Sequence, residues 1–160
     1  MELTHVNKHG RARMVDISPK EDTDRVAIAQ GTICMNPETL EIIKTGGIMK
    51  GDVLGVAQVA GIMGAKQTAN IIPMCHPVML TSVDINFEYD DTNSAIIVRS
   101  IAKTSGKTGV EMEAIIAVST TLITIYDMCK AIDRWMEISD IKLLEKAGGK
   151  SGHVVRMENT

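Results

Sequence analysis

Aromatic side chains are nearly absent from this sequence, which holds one Trp, two Tyr and one Phe in 160 residues. Proteins that bind single-stranded nucleic acid stack the bases on aromatic side chains, so the composition argues against that class. An excess of positive charge is also lacking: the formal net charge is −3, and any bound anion must be held by local cations. The core must therefore be built from aliphatic residues and 11 Met.

The features of secreted, membrane and zinc proteins are lacking as well. Residues 1–20 are polar where a signal peptide would carry an apolar run, and three cysteines is an odd number. The apolar runs at residues 53–65 and 114–126 are shorter than the roughly 20 residues that cross a bilayer. No Cys or His pair has the spacing of a zinc site. We expect a cytoplasmic protein with no nucleic-acid partner, no membrane partner and no bound metal.

The length predicts a single domain over residues 1–160, with a mobile arm at 1–13 and a flexible glycine-rich tail at 147–160. Alternating apolar residues predict strands at 24–35, 83–89, 95–103 and 136–145. Asn36 as N-cap and Pro37 at the first helical position predict a helix that ends at Gly46. A second predicted helix, at 51–70, contains three glycines, which suggests a close backbone approach.

The clearest predicted helix runs from 109 to 132, with apolar residues three or four positions apart. No residue of 114–126 is charged, so the helix has no strongly polar face. A helix of that kind is normally buried all round, which a small domain rarely achieves by itself. We therefore expect a homo-oligomer.

Two prolines bracket a thiol and an imidazole. Cys75 and His76 lie between Pro73 and Pro77, and proline restricts the backbone on both sides. Adjacent residues of an extended loop point in opposite directions, which argues against a shared metal ion. A histidine held in this way suits proton transfer near neutral pH, but a structural role fits equally well.

Lysines accompany the glycine-rich turns. Lys107 and Lys150 follow glycines, but the glycine that a true phosphate loop requires five positions earlier is missing in both cases. By themselves these turns read as plain turns with solvated lysines, although such turns can bind phosphate. Lys50 precedes the second helix, where we expect an anion site at the helix N-terminus.

Charges return at both ends of the long helix. Asp127 and Lys130, three residues apart, share a helix face and read by default as a surface pair. Their place at the end of an uncharged helix instead suggests desolvation and perturbed pKa values. Glu111 and Glu113 are two residues apart and point in different directions, so we expect one to bind a ligand and the other to solvate the helix start.

Taken together, five motifs in order resemble the cyclic pyranopterin monophosphate synthase family, the C proteins of molybdenum cofactor biosynthesis. The resemblance runs from Leu3 to Gly152. The motifs are Lys50-Gly-Asp-Val53, Ile72-Pro-Met-Cys-His-Pro77, Thr108-Gly-Val-Glu-Met-Glu113, Thr124-Ile-Tyr-Asp-Met-Cys-Lys130 and Gly148-Gly-Lys-Ser-Gly152. Met74 stands where Leu is frequent in the family, and His153 where Asp is.

The resemblance implies an α+β fold, a ferredoxin-like antiparallel sheet packed against helices, assembled as a hexamer of three dimers with the site at the dimer interface. It also implies a lyase that converts a GTP-derived 3',8-cyclic dihydroguanosine triphosphate into cyclic pyranopterin monophosphate and pyrophosphate. No cofactor is required, although Mg²⁺ can accompany the triphosphate.

The site residues follow from the matching motif positions. Asp127 corresponds to the catalytic acid or base, and Lys50 and Lys130 to essential lysines. The implied substrate-binding residues are Met74, Cys75, His76, Glu111, Met112, Glu113, Arg25, Lys146 and Lys150. We expect Lys50, Lys130 and Lys146 to hold the triphosphate.

Two other functional classes remain open from the sequence. A nucleotide or pyrophosphate sensor would use the same cationic loops without a proton-transfer group. A thiol-based metal or redox carrier would depend on Cys75 or Cys129.

The long helix sets a geometric condition on the site. In a continuous helix, Glu111 and Asp127 are separated by 16 residues, or about 24 Å along the axis. One small-molecule site does not easily span that length. We therefore expect each site to be built from two chains.

Overall fold

The computed structural model describes residues 6–48 and 50–157. Residues 1–5 of the expected arm and 158–160 of the expected tail lie outside that range. In chain order the elements are β1 (Thr23–Cys34), α1 (Pro37–Lys44), α2 (Val53–Lys66), α3 (Thr68–Ile71), β2 (Leu80–Asp90), β3 (Ala95–Gly106), α4 (Glu111–Cys129), β4 (Glu137–Ala147), a 3-10 turn (Gly149–Ser151) and β5 (Val154–Val155).

The strands form one sheet in the order β2-β3-β1-β4-β5, and every neighbouring pair is antiparallel. Helices α1, α2 and α3 follow β1 in the chain, and α4 follows β3. Both α2 and α4 pack against strands of the sheet. The α+β class and the ferredoxin-like arrangement are confirmed. In the expected tail, β5 pairs with β4, and in the expected arm Val6 forms a bridge with Ala12. Whether either segment is flexible stays a prediction.

The strand β1 turns one face toward the helices. Ala27, Ala29 and Ile33 are fully buried on that face. Val26 and Ile28 lie on the opposite face of the strand and are only partly buried. The strand is therefore where the sequence predicts it, but its apolar residues divide between two faces because side chains alternate along a strand.

Asn36 stands at the N-cap position of α1 and Pro37 at the start of the helix, as predicted, but the capping side chain comes from a distant residue. The Asn36 side chain makes no capping hydrogen bond. The buried Asp133 instead accepts the Asn36 backbone N–H at 2.7 Å and the Thr39 hydroxyl at 3.4 Å. This carboxylate ties the start of α1 to the loop that follows α4.

The second helix, α2, begins later and ends earlier than predicted. Asp52 caps α2 by accepting the Gly55 N–H at 3.0 Å, so the helix begins at Val53 and not at Gly51. It ends at Lys66, and a separate short helix, α3, begins at Thr68. Asp52 thus occupies the helix N-terminus where we expected an anion site beside Lys50.

The close backbone approach predicted for α2 is confirmed at Gly61 and Gly64. A Cβ atom at Gly61 would lie 2.1 Å from the Thr121 hydroxyl oxygen and 3.0 Å from the Ala117 carbonyl oxygen. One at Gly64 would lie 2.4 Å from the Thr120 hydroxyl oxygen. The missing side chains therefore let α2 pack directly on α4.

The helix α4 packs both on the sheet and against α2. Its core positions include Ala114, Val118, Leu122 and Ile125, all fully buried. By length and composition alone α4 is apolar enough to cross a membrane, but half of it is buried against the rest of this domain, and core helices pass the same test. Its outer side is not covered, and Ile123 is 59% exposed.

Replacing Gly61 with Ala tests the packing of α2 on α4. We expect Gly61→Ala to lower the free energy of unfolding by about 1–3 kcal/mol, because the added methyl group overlaps atoms of α4. Urea unfolding at one fixed protein concentration measures the change. Gly106→Ala is the control, because its added Cβ would meet nothing closer than 3.7 Å. An increase in stability of about 1 kcal/mol, as helix propensity alone predicts, would contradict the packing argument.

Candidate active site

Two adjoining cavities flank the first turn of α4. The larger, which we call the cationic cavity, has a volume of about 680 Å³. Its charged lining residues are Lys20, Glu21, Arg25, Glu111, Lys146 and Lys150. The smaller, which we call the loop cavity, has a volume of about 490 Å³. Its lining includes Met74, Cys75, His76, Met112 and Glu113. Four residues line both cavities: Lys20, Thr108, Gly109 and Glu111.

Arg25 forms the floor of the cationic cavity. Its Nε donates to the Gly106 carbonyl at 2.8 Å, which fixes the guanidinium at the end of β3. The turn after β4 crosses directly over it: a Cβ atom at Gly149 would lie 2.2 Å from Arg25 Nη1. Gly148 and Gly149 both have positive φ, which favours glycine. The glycine pair therefore brings the backbone, and Lys150 with it, over the arginine.

Glu111, which lines both cavities, forms an ion pair with Lys146 of the cationic cavity. Lys146 Nζ lies 2.5 Å from Glu111 Oε1, and both side chains are 28% exposed. Burial by itself would raise the pKa of Glu111, but the Lys146 ammonium and Arg25 hold it below its usual value. Glu111 is therefore ionised and neutralises one of the local cations.

Glu113 is in the opposite electrostatic state. It is 4% exposed, and no lysine or arginine of the described segments forms an ion pair with it. Burial raises the pKa of Glu113, and the nearby Glu111 carboxylate raises it further. Backbone hydrogen bonds at the first turn of α4 act on both carboxylates, so which glutamate binds a ligand and which solvates the helix start stays a prediction.

The loop with Cys75 and His76 lies beside Glu113. The Cys75 N–H donates to the Ile72 carbonyl at 3.1 Å, so the chain makes a turn at Pro73. We predicted that Cys75 and His76 would point to opposite sides, as in an extended loop. The turn instead places both residues on the lining of the loop cavity.

Neither Cys75 nor Cys129 has the lowered thiol pKa of a reactive cysteine. Burial raises the pKa of Cys75, and it raises the pKa of Cys129 to about 11. Thiolates are the reactive species in redox and metal chemistry, so this environment disfavours a thiol-based carrier. In the described segments, no group of three or more His, Cys, Asp or Glu side chains is arranged to hold a metal ion.

Asp127, Lys50 and Lys130 form a separate cluster at the other end of α4. Lys130 Nζ lies 2.6 Å from Asp127 Oδ1, and Lys50 Nζ donates to the Asp127 carbonyl at 2.7 Å. The Lys130 hydrogen bond and the charges of both lysines lower the pKa of Asp127, and Asp127 raises that of Lys130. The pKa values of Asp127 and Lys130 are perturbed, as expected. The cause is ion pairing and not the desolvation that we predicted, because all three side chains are exposed.

One chain thus brings together only part of the predicted site. Arg25, Glu111, Lys146 and Lys150 line the cationic cavity, and the remaining five predicted substrate contacts line the loop cavity. Asp127, Lys50 and Lys130 line neither of them. The continuous helix from Glu111 to Cys129 holds the two groups about 24 Å apart. Lys146 therefore cannot act with Lys50 and Lys130 on one phosphate chain inside a single protomer.

Sequence reasoning missed Lys20 and read Lys107 as solvated. Lys107 Nζ donates to the Ser18 carbonyl at 3.0 Å and so ties residues 15–21 to the turn before α4. No periodicity or motif marks this segment, because it is irregular and its position depends on one contact across 89 residues.

The chain is similar to known proteins over nearly its whole length. A model of the MoaC family matches residues 14–149. A relative from Syntrophomonas wolfei is 65% identical over 156 residues, 98% of this chain and 99% of its own length. Relatives from Desulfitobacterium hafniense and Clostridium acetobutylicum are 60% and 61% identical, over 99% and 97% of this chain and 97% and 96% of their own lengths. All three are named cyclic pyranopterin monophosphate synthase.

The pH dependence of stability tests the two glutamates. A raised pKa of Glu113 favours the folded state fully below the unfolded value of 4.5, and that contribution is lost as pH rises through the folded pKa. Glu113→Gln should therefore gain stability relative to the wild type between about pH 4 and about pH 7. Urea unfolding across that range measures the difference.

Glu111→Gln is the matched control, with the opposite sign. The pKa of Glu111 is lowered, so its contribution is present above 4.5 and lost as pH falls through the folded pKa. This variant should lose stability relative to the wild type at neutral pH and approach it in acid. Parallel pH profiles for both variants would contradict the opposite environments of the two carboxylates.

Proposed function

The chain belongs to the MoaC family, and on that premise we propose that it is a lyase with cyclic pyranopterin monophosphate synthase activity. It converts the GTP-derived 3',8-cyclic dihydroguanosine triphosphate into cyclic pyranopterin monophosphate, a step of molybdenum cofactor biosynthesis, and releases pyrophosphate. The observation that carries the proposal is the pair of adjoining cavities, one cationic and one lined by proton-transfer groups. A substrate with a triphosphate at one end and a fused ring at the other fits this division.

The cationic cavity takes the phosphates. Arg25, Lys146 and Lys150 supply positive charge in a chain whose net charge is −3, so the attraction for a polyanion is local. Forming the cyclic phosphate requires an internal hydroxyl to attack the α-phosphorus while pyrophosphate leaves. Fixed cations stabilise the charge that develops on the leaving group.

The loop cavity takes the ring system. Opening the purine-derived ring and closing it again as a pterin requires proton transfers at several atoms. Burial raises the pKa of Glu113, which favours its protonated, proton-donating form. His76 lies on the same lining and supplies an imidazole that can donate or accept a hydrogen bond.

Asp127, Lys50 and Lys130 reach the substrate from a second chain. The two lysines keep Asp127 ionised, as a proton acceptor requires, while the lysines themselves are proton donors. Exposed apolar residues on the outer face of α2 and α4, Val56, Val59, Met63 and Ile123, support a contact between chains there. We propose a dimer with the site at its interface, three dimers forming a hexamer.

The remaining conditions of the reaction follow from the substrate. The enzyme works in the cytoplasm, where GTP and its derivatives are found. It needs no resident cofactor, and Mg²⁺ accompanies the triphosphate as part of the substrate.

Incubation of the wild type with the cyclic triphosphate, followed by measurement of pyrophosphate, tests this function. We expect turnover by the wild type and a loss of about 10²-fold or more in Asp127→Asn, which keeps the shape of the side chain but removes its proton chemistry. Asp127→Asn should still bind the substrate. Glu41→Gln, which alters an exposed pair with Lys44, should keep the wild-type rate.

Each outcome separates this function from the alternatives. Binding without any pyrophosphate release by the wild type would identify a sensor. Near-normal turnover by Asp127→Asn would make Asp127 structural. Full activity in a Cys75→Ser, Cys129→Ser double variant would eliminate the thiol-based class.

A further inference from the structure

Lys20 lies on the wall that the cationic cavity and the loop cavity share. Its side chain is exposed, and within the described segments its ammonium forms no ion pair with a carboxylate. It differs in this from Lys146, whose charge is already matched by Glu111. Lys20 is therefore a cation that is free to pair with a ligand at the junction of the two cavities.

The backbone around Lys20 has a defined position. The Lys20 N–H donates to the Ile17 carbonyl at 3.0 Å, and the Ser18 N–H donates to Asp16 Oδ1 at 2.8 Å. The Ser18 carbonyl in turn accepts Lys107 Nζ at 3.0 Å. These contacts hold the segment against the turn that begins α4, while the Lys20 side chain remains unpaired.

The shape of the substrate places one phosphate at this junction. If the β- and γ-phosphates occupy the cationic cavity and the ring system occupies the loop cavity, the α-phosphate that joins them must lie at the shared wall. Of the four residues on that wall, Thr108 and Gly109 are uncharged and Glu111 is anionic. Lys20 alone of the four brings a positive charge.

We propose that Lys20 is a catalytic residue that binds the α-phosphate of the cyclic triphosphate; this inference rests on the proposed function. In the cyclisation, an internal hydroxyl oxygen forms a bond to the α-phosphorus and gives its proton to a base. The bond from the α-phosphorus to the bridging oxygen breaks, and its electron pair leaves with pyrophosphate. Lys20 stabilises the negative charge on the non-bridging α-phosphate oxygens during this exchange.

The two products separate this role from a general attraction for phosphate. Cyclic pyranopterin monophosphate keeps the α-phosphate, whereas pyrophosphate carries only the β- and γ-phosphates. A residue at the α-phosphate contributes to binding of the first product and not of the second. A residue that lines the cationic cavity alone, such as Lys150, contributes to binding of pyrophosphate.

Lys20→Met and Lys150→Met form the matched pair for the experiment. We expect Lys20→Met to lower kcat by about 10²-fold. It should weaken inhibition by cyclic pyranopterin monophosphate and leave inhibition by pyrophosphate unchanged, and Lys150→Met should show the reverse pattern of inhibition. Lys20→Arg, which keeps the charge, should recover part of the activity. Lys8→Met, at an exposed lysine outside both cavities, should behave as the wild type.

The outcomes distinguish a failure of this inference from a failure of the proposed function. If the wild type makes no product, the function is wrong and the role of Lys20 falls with it. If the wild type is active and Lys20→Met keeps kcat within about twofold, the function stands and the inference is wrong. Weaker inhibition by pyrophosphate alone in Lys20→Met would also overturn it, because Lys20 would then contact the leaving group.

Discussion

The packing of α4 on the sheet and against α2 is the constraint on which the rest of the molecule depends. Glycines at positions 61 and 64 bring the two helices into backbone contact, and buried aliphatic side chains seat α4 on the sheet. A helix fixed along its length in this way is rigid, so its ends cannot approach each other. Glu111 at its first turn and Asp127 at its last turn are therefore held about 24 Å apart in every chain. A site that needs both has to be completed by a second chain.

The same helix carries its charged side chains only at its two ends. Its uncharged middle is buried, while carboxylates lie at both ends, each with a different environment. Lys146 and Arg25 hold the pKa of Glu111 below its usual value, burial raises the pKa of Glu113, and two lysines lower the pKa of Asp127. The proposed roles of a charge partner, an acid and a base thus fall on three acidic residues of one helix. Environment and not residue type separates their roles.

Much of the fold could be read from the sequence because local patterns determine it. The four long strands and the three longer helices follow from alternation, helical spacing and glycine or proline boundaries. What could not be read depended on distant contacts: Asp133 caps α1 across the fold, and Lys50 turns away from α2 toward the Asp127 carbonyl. At the site, the motifs supplied the residues but not their grouping. Lys20 carries no motif, because only the folded chain places it between two cavities.

The central claim is that the Glu113 end of one chain works with the Asp127 end of another. Its most direct test is to mix two inactive variants, Glu113→Ala and Asp127→Ala, under conditions in which subunits exchange, and to measure pyrophosphate release. Mixed dimers then contain one site with both residues intact, so part of the wild-type activity should return. If exchange is confirmed by mass and no activity returns, all the catalytic groups act within one chain and the two-chain account is wrong.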